Sequence, residues 1–166
     1  MPMDTQNGTV PTAEVIAVAR EFVIEAYEGP SPQGSWFTSA SADAGLFGTI
    51  ADLPAELASR PGRPGGPSIA AHVEHLRWTL ELVNATIRGA PWQPDWSASW
   101  SLSTVDEPAW RALRSELRRE FSALREALEG GPDVSDPMVL RGMLALAPHA
   151  AYHLGAIRLM ALQVAS

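Results

Sequence analysis

Residues 146–158 read LAPHAAYHLGAIR, and this mostly apolar stretch places His149 and His153 four positions apart. On an α-helix, residues four apart lie on one face with Cβ atoms ~6 Å apart, so both imidazoles could reach one metal ion. Asp136 and Pro137 are typical of an N-cap and a first helical position, and the helix is predicted to run from there to the C-terminus. The stretch therefore predicts a core helix that carries two neighbouring candidate metal ligands.

A second histidine pair lies about half the chain away, in residues 69–78, IAAHVEHLRW. Ser68 is a suitable N-cap after a run rich in Pro and Gly, and the helix is predicted to continue to about Arg88. From the centre of the apolar stripe His72 is ~50° away and His75 ~110° away, so burial alone favours His72. One histidine pair is a weak signal, but a second pair offers the third ligand of a catalytic metal site.

Four segments have the periodicity of amphipathic helices, and the stretches between them are rich in Pro, Gly and Ser. Besides the two histidine helices, these are residues 12–28 and a third helix that Thr104 and Glu107 introduce as a capping box and Gly130 ends. No alternating strand pattern competes, so the sequence predicts an all-α, four-helix bundle. Its long first crossover is expected to contain one short extra helix within residues 44–58.

The composition limits the classes of function. The 166 residues are predicted to form a single domain, 1–166, with a flexible tail at 1–11. With 12 basic and 19 acidic side chains the net charge is −7, and no basic cluster exists, so nucleic acid is not expected as a partner. Cysteine is absent, so any thiol in a reaction must come from outside the chain. Residues 1–12 have neither the basic start nor the apolar run of a signal peptide, and no apolar run approaches ~20 residues, so no membrane span is expected and the expected location is the cytoplasm.

Residues 91–103, PWQPDWSASWSLS, hold three of the six tryptophans of the chain, Trp92, Trp96 and Trp100. Large aromatic side chains usually serve packing, so the first interpretation is a hydrophobic lid over one end of the bundle. The alternative is direct contact with a substrate, for which Trp96 and Trp100 are the pocket candidates.

The C-terminal helix is apolar all round, which predicts either full burial or packing against another subunit. The side opposite the histidines carries Leu140, Leu144 and Ala151. A homodimer is expected to bury at least one of these three residues between its subunits. The competing interpretation is that the crossover at 44–58 covers this side within one chain.

The motifs and their order resemble those of the DinB-like (DinB/YfiT) superfamily, over essentially the whole chain. The residues that carry the resemblance are Ser68, Ile69, His72, Val73, His75, Leu76 and Arg77 in the second helix, Trp96 and Trp100 in the loop, Trp110 in the third helix, and His149, Tyr152, His153, Gly155, Ile157 and Arg158 in the fourth. One departure is Ala156, where many members of the family have Gln.

The resemblance implies a bundle that is often dimeric and a divalent metal, with zinc or nickel expected first, held by His75, His149 and His153. His72 and Tyr152 are then candidates for side chains that support these ligands. Characterised members include transferases and isomerases that use bacillithiol, mycothiol or glutathione. The resemblance therefore implies transfer of a low-molecular-weight thiol to a small electrophilic substrate.

Two other functions remain open from the sequence. The same site could activate water in a metal-dependent hydrolase, or the protein could bind a metal or a small molecule without catalysis, as in stress protection. Three neutral imidazoles leave an open coordination position, which is typical of catalytic rather than structural metal sites. The sequence itself does not separate the three functions.

Overall fold

The computed structural model describes residues 9–131 and 133–164, and these residues contain six α-helices and no β-strand. The helices are α1 (Thr12–Glu28), α2 (Leu46–Thr49), α3 (Ala55–Ala58), α4 (Ile69–Ile87), α5 (Glu107–Glu129) and α6 (Pro137–Val164). The four long helices form a bundle in which α1 and α4 each contact both α5 and α6. The predicted all-α, four-helix architecture is confirmed. None of the described helices is both long enough and apolar enough to cross a membrane.

The starts of α4 and α6 lie where the capping residues predict them. The Ser68 side chain accepts a hydrogen bond from the backbone N–H of Ala71 at 3.2 Å. Asp136 Oδ1 likewise accepts one from the N–H of Met138 at 2.8 Å. Such bonds satisfy donors that the first helical turn leaves without partners. Of the predicted tail at 1–11, residues 1–8 lie outside the described residues.

The predicted start of α5 at Thr104 is wrong. The N-cap is Asp106, whose side chain accepts from the N–H of Ala109 at 2.8 Å. Pro108 explains the difference, because a helix capped at Thr104 would need the missing N–H of Pro108 for its first backbone bond. With Asp106 as the cap, Pro108 falls in the first turn, where no such bond is required. Glu107 instead accepts a hydrogen bond from Ala55 N–H at 2.7 Å and joins α5 to α3.

The first crossover contains two short helices, α2 and α3, rather than the one predicted within residues 44–58. Pro54 separates them, since it has no N–H to offer to the carbonyl of Ile50 in a continuous helix. That carbonyl accepts a hydrogen bond from Arg114 of α5 at 3.1 Å instead. Both short helices contact α6, so the crossover closes one side of the bundle.

The hydrophobic core lies between the four long helices and extends under α2 and α3. Its largest fully buried side chains are Val23, Leu46, Ile50, Ile69, Val73, Leu76, Leu80, Trp110, Leu117, Phe121, Leu124 and Ile157. Burial of this apolar surface is the main favourable contribution to folding. The bundle is therefore held together mainly by its apolar side chains.

Glu25 of α1 anchors the loop that follows the helix, a role that the sequence did not indicate. Its carboxylate is 3 % exposed and accepts hydrogen bonds from the backbone N–H groups of Trp36, Phe37 and Thr38. The hydroxyls of Ser35 and Thr38 donate to it as well, at 2.8 and 2.7 Å. Burial by itself raises the pKa of Glu25, but these hydrogen bonds outweigh it and lower the pKa to about 2. The carboxylate is therefore charged in the folded protein at neutral pH.

Replacing Glu25 with Gln is expected to destabilise the protein by about 2 kcal/mol at pH 7, because a buried, charged acceptor of several hydrogen bonds is lost. Since the folded pKa lies below the unfolded value of 4.5, the contribution is present above that pH and is lost as the pH falls towards 2. Urea unfolding at pH 7 and pH 3 would measure both effects. Glu28→Gln is the control, because the ion pair of Glu28 with Arg125 is exposed and is expected to contribute under ~1 kcal/mol. Equal stability of Glu25→Gln and wild type at pH 7 would show that the hydrogen bonds to the Glu25 carboxylate do not stabilise the protein.

Candidate metal centre

Helices α4 and α6 lie side by side and bring His75, His149 and His153 together, although His75 is far from the other two in sequence. His149 Nε2 lies 3.0 Å from His75 Nε2 and 3.2 Å from His153 Nε2. All three ligand atoms lie within 4.8 Å of one another. His75 and His153 are buried and His149 is partly exposed, so the cluster lies at the edge of the core, with His149 nearest to solvent.

His72 lies behind this cluster rather than in it. Its Nδ1 is 2.8 Å from Nδ1 of His153, on the side of the His153 ring that faces away from the other ligand atoms. Periodicity predicts burial of His72, and the side chain is indeed only 6 % exposed. His75 is equally buried in spite of its angle from the apolar stripe, because the loop after α4 covers it. His72 thus contacts the candidate ligand His153 and remains a candidate for a supporting side chain.

Ser99 supports His75 from a 3₁₀ turn, Ala98–Trp100, in the tryptophan loop. Its hydroxyl donates to the carbonyl of Trp96 at 2.8 Å and is 2.8 Å from His75 Nδ1. Because the single hydroxyl proton is used on Trp96, Ser99 must accept from His75 Nδ1–H. The other ring nitrogen, Nε2, then carries a lone pair that faces the cluster. No sequence pattern identifies this serine, since it is one of several in the loop.

A hydrogen bond of the same kind orients His153. When its Nδ1–H donates to His72 Nδ1, its Nε2 also turns a lone pair towards the other two ligand atoms. Metal-binding histidines usually donate their second N–H to a protein acceptor, which fixes the tautomer and the orientation of the ring. His75 has such an acceptor in Ser99, and His72 is placed to serve as the acceptor for His153.

Burial keeps the imidazoles neutral. It lowers the pKa of His75 to about 4 and that of His153 to about 3, with smaller contributions from the neighbouring histidines. The pKa values of His72 and His149 are lowered by burial too. Because a metal ion binds the deprotonated nitrogen, these rings are ready to act as ligands at neutral pH.

The donor set fits a divalent transition metal. Imidazole nitrogen suits zinc, nickel, copper and iron, whereas calcium and magnesium prefer oxygen donors. Three neutral nitrogens on one side leave room for a further ligand on the other, which is the arrangement of catalytic zinc sites. His75, His149 and His153 could therefore hold a metal ion with an accessible coordination position.

The tryptophan loop borders the cluster. The Trp100 ring stacks on His75 with centroids 4.3 Å apart and an interplanar angle of 17°, and it meets His72 edge-on at 5.2 Å. Trp96 lies 6.1 Å from the His75 ring. Both pocket candidates thus lie beside the metal ligands, and their exposed fractions of 37 % and 46 % show that they remain open to solvent.

Tyr152 has a more peripheral position. Its ring meets His153 edge-on at a centroid distance of 5.0 Å, but the side chain is 72 % exposed. Its hydroxyl makes no hydrogen bond to any of the described residues. Contact with His153 is therefore through the ring edge alone.

Replacing Ser99 with Ala is expected to weaken zinc binding by about tenfold, because His75 loses the acceptor that fixes its tautomer. Competition with a chromophoric chelator would measure the zinc affinity. Ser101→Ala is the matched control, since Ser101 is exposed in the same loop. An unchanged affinity in Ser99→Ala would show that the hydrogen bond has no influence on the ligand.

A comparison with known families supports the family resemblance that the order of the motifs indicates. A family model described as the DinB superfamily matches residues 42–157, which include α2 to α5, most of α6 and all four histidines. No curated protein and no solved structure matches the chain significantly. The match rests on the segment that contains the whole candidate metal centre.

Proposed function

Since this chain belongs to the DinB superfamily, we propose that it is a metal-dependent enzyme that transfers a low-molecular-weight thiol to a small electrophilic substrate. The observation that carries the proposal is the convergence of three Nε2 atoms, from His75, His149 and His153, at the edge of the core, where His149 is partly exposed. Three protein ligands leave a coordination position for another molecule, which a closed, four-ligand structural site does not have. Zinc and nickel are the ions we expect there first.

The three histidines would hold such an ion, and the residues around them would orient the histidine rings. A divalent ion supplies Lewis acidity at this place and favours the thiolate form of a nearby thiol. Ser99 holds the ring of His75 in the required tautomer, and His72 would do the same for His153 when it accepts the hydrogen bond from His153 Nδ1–H. Trp100 covers one face of His75 and excludes water from it.

The thiol has to be an external one, because the chain contains no cysteine. Its S–H proton passes to solvent, the sulfur forms a bond to an electrophilic carbon, and the electron pair of the broken bond leaves with the displaced group. None of the four histidines is then required as a nucleophile. The expected cytoplasmic location, where such thiols are kept reduced, remains part of this proposal.

A turnover assay tests the proposed function directly. Zinc- or nickel-loaded protein would be mixed with glutathione, mycothiol or bacillithiol and with a small epoxide or an activated aryl halide. We expect thiol consumption that requires the protein and disappears with a chelator. Hydrolysis of the electrophile without any thiol would favour a hydrolase instead. Tight metal binding without turnover of any combination would favour a binding or protective role.

A homodimer through α6 also belongs to the proposal. Of the residues expected in the interface, Ala151 lines a groove of about 410 Å³ against Phe22 and Phe37, and Leu140 packs partly on the core. Leu144 is 46 % exposed and begins an exposed apolar stripe that continues through Tyr152, Leu159 and Leu162. Large exposed apolar patches often mark interaction sites, so this stripe is the surface that we expect a second subunit to cover. Light scattering at micromolar concentration would reveal a dimer, and a monomer there would remove this part of the proposal.

A further inference from the structure

Four tryptophan side chains lie beside the candidate metal centre, and we call them the tryptophan wall: Trp78, Trp92, Trp96 and Trp100. Trp96 is at its middle, with ring centroids 5.5 Å from Trp78 and 6.3 Å from Trp92. Trp100 forms the inner end and is joined to Trp96 through His75, because both tryptophan rings contact the His75 ring. The wall therefore leads from the surface of the protein to a candidate metal ligand.

The wall is not explained by packing in the core. Trp92 is 50 % exposed and Trp96 46 % exposed, and neither belongs to the hydrophobic core. Tryptophan offers the largest apolar surface of any side chain, and clustered exposure of such rings typically marks a binding surface. By contrast, the fully buried Trp110 shows how this chain uses tryptophan for packing.

Hydrogen bonds hold the loop that carries Trp92, Trp96 and Trp100 in a defined conformation. Asp95 Oδ1 accepts hydrogen bonds from the N–H groups of Ser97 and Ala98, both at 3.1 Å. Ser99 then joins the carbonyl of Trp96 to the ring of His75. The same hydrogen bonds that orient a candidate metal ligand thus hold Trp96 in place. A molecule that lies on the wall would have a fixed position relative to the three histidines.

The charged groups next to the wall are already paired. Arg77 precedes Trp78 in sequence and binds Glu74 at 2.7 Å and Glu81 at 2.8 Å. The Asp95 carboxylate is engaged by its own loop. The surface thus presents aromatic faces, and the carboxylates at its border outnumber the one arginine, so it favours a flat, apolar group over an anion.

We propose that the tryptophan wall binds a planar, apolar part of the electrophilic substrate, an aromatic ring or a conjugated system, and holds it beside the metal centre. This inference rests on the proposed function and names the substrate class. The planar group belongs to the electrophile, because common low-molecular-weight thiols are built from sugars and amino acids and carry no large apolar ring. The preferred electrophiles are then aromatic or conjugated molecules rather than aliphatic ones.

The test uses two unreactive alcohols with the same carbon skeleton, the planar, aromatic 1-naphthalenemethanol and its saturated decahydro counterpart. Calorimetric titration of zinc-loaded protein, without thiol, is expected to show that the aromatic alcohol binds about fivefold more tightly. Trp92→Leu and Trp96→Leu are each expected to remove about that factor. Trp36→Leu is the matched control, because Trp36 is 67 % exposed and contacts Phe22 on α1, away from the wall. Zinc affinity, measured for every variant, shows whether the centre stays intact.

Equal binding of the two alcohols would overturn the inference, as would unchanged aromatic binding in both wall variants. These outcomes are independent of the proposed function, since no thiol and no turnover are involved. If the aromatic alcohol binds at the wall and no thiol is ever consumed, only the proposed transferase activity fails. If aliphatic electrophiles turn over as fast as aromatic ones, only the substrate class fails.

Discussion

Replacing His149 with Ala is expected to weaken zinc binding by at least ~100-fold and to abolish any metal-dependent turnover, because one of three nitrogen ligands is lost. The bundle is expected to stay folded. His149 is partly exposed, it lies outside the hydrophobic core, and alanine is the best helix former for a position inside α6. Competition with a chromophoric chelator measures the affinity, and circular dichroism checks the helix content.

Tyr152→Phe is the control for this prediction. It lies on the same helix and keeps the ring edge against His153, but it removes a hydroxyl that has no hydrogen-bond partner among the described residues. Its zinc affinity is expected to stay within about twofold of wild type, well below the effect of losing a ligand. Tight zinc binding in His149→Ala would place the metal elsewhere and remove the basis of the proposed function.

Replacing Trp110 with Ala is expected to destabilise the protein by about 4 kcal/mol, the typical cost of truncating a large buried aromatic side chain. Trp110 is fully buried and its indole N–H donates to the carbonyl of Leu53 at 2.6 Å. The variant therefore leaves a cavity at the start of α5 and also a carbonyl without its donor. Urea unfolding followed by circular dichroism measures the loss.

Trp36→Ala removes the same side chain from a site that is 67 % exposed, and a loss below ~1 kcal/mol is expected there. If Trp110→Ala cost no more than this control, the position of the core between α5 and the first crossover would be wrong.

The sequence predicts the long helices well where a capping residue and an apolar stripe agree. Ser68 and Asp136 mark the starts of α4 and α6 without a competing signal. At α5 two caps compete, and a capping box pattern favours Thr104 although Pro108 excludes it. In the crossover, the helical periodicity of the side chains continues across Pro54, but the missing N–H of Pro54 prevents a continuous helix. Both errors come from giving side-chain pattern more weight than the missing N–H of proline.

The candidate metal centre is predicted from the sequence only in part. Periodicity alone ranks His72 above His75, and the family resemblance reverses this order; the cluster contains His75 and leaves His72 behind His153. Helical geometry describes one helix at a time, so it does not include the loop that buries His75 under Trp100. Ser99 lies in the same loop, and its hydrogen bond to His75 joins residues 24 positions apart. Such contacts follow from the tertiary path of the chain, which no local pattern contains.

X-ray absorption spectroscopy of the protein loaded with one equivalent of zinc tests the central claim most directly, since it reports the ligand atoms around the metal. The account predicts three imidazole nitrogens at ~2.0–2.1 Å in the wild-type protein and two in His149→Ala, if that variant retains zinc at high concentration. A spectrum with carboxylate oxygens in place of imidazoles, or one that His149→Ala leaves unchanged, would contradict the assignment of His75, His149 and His153 as the metal ligands.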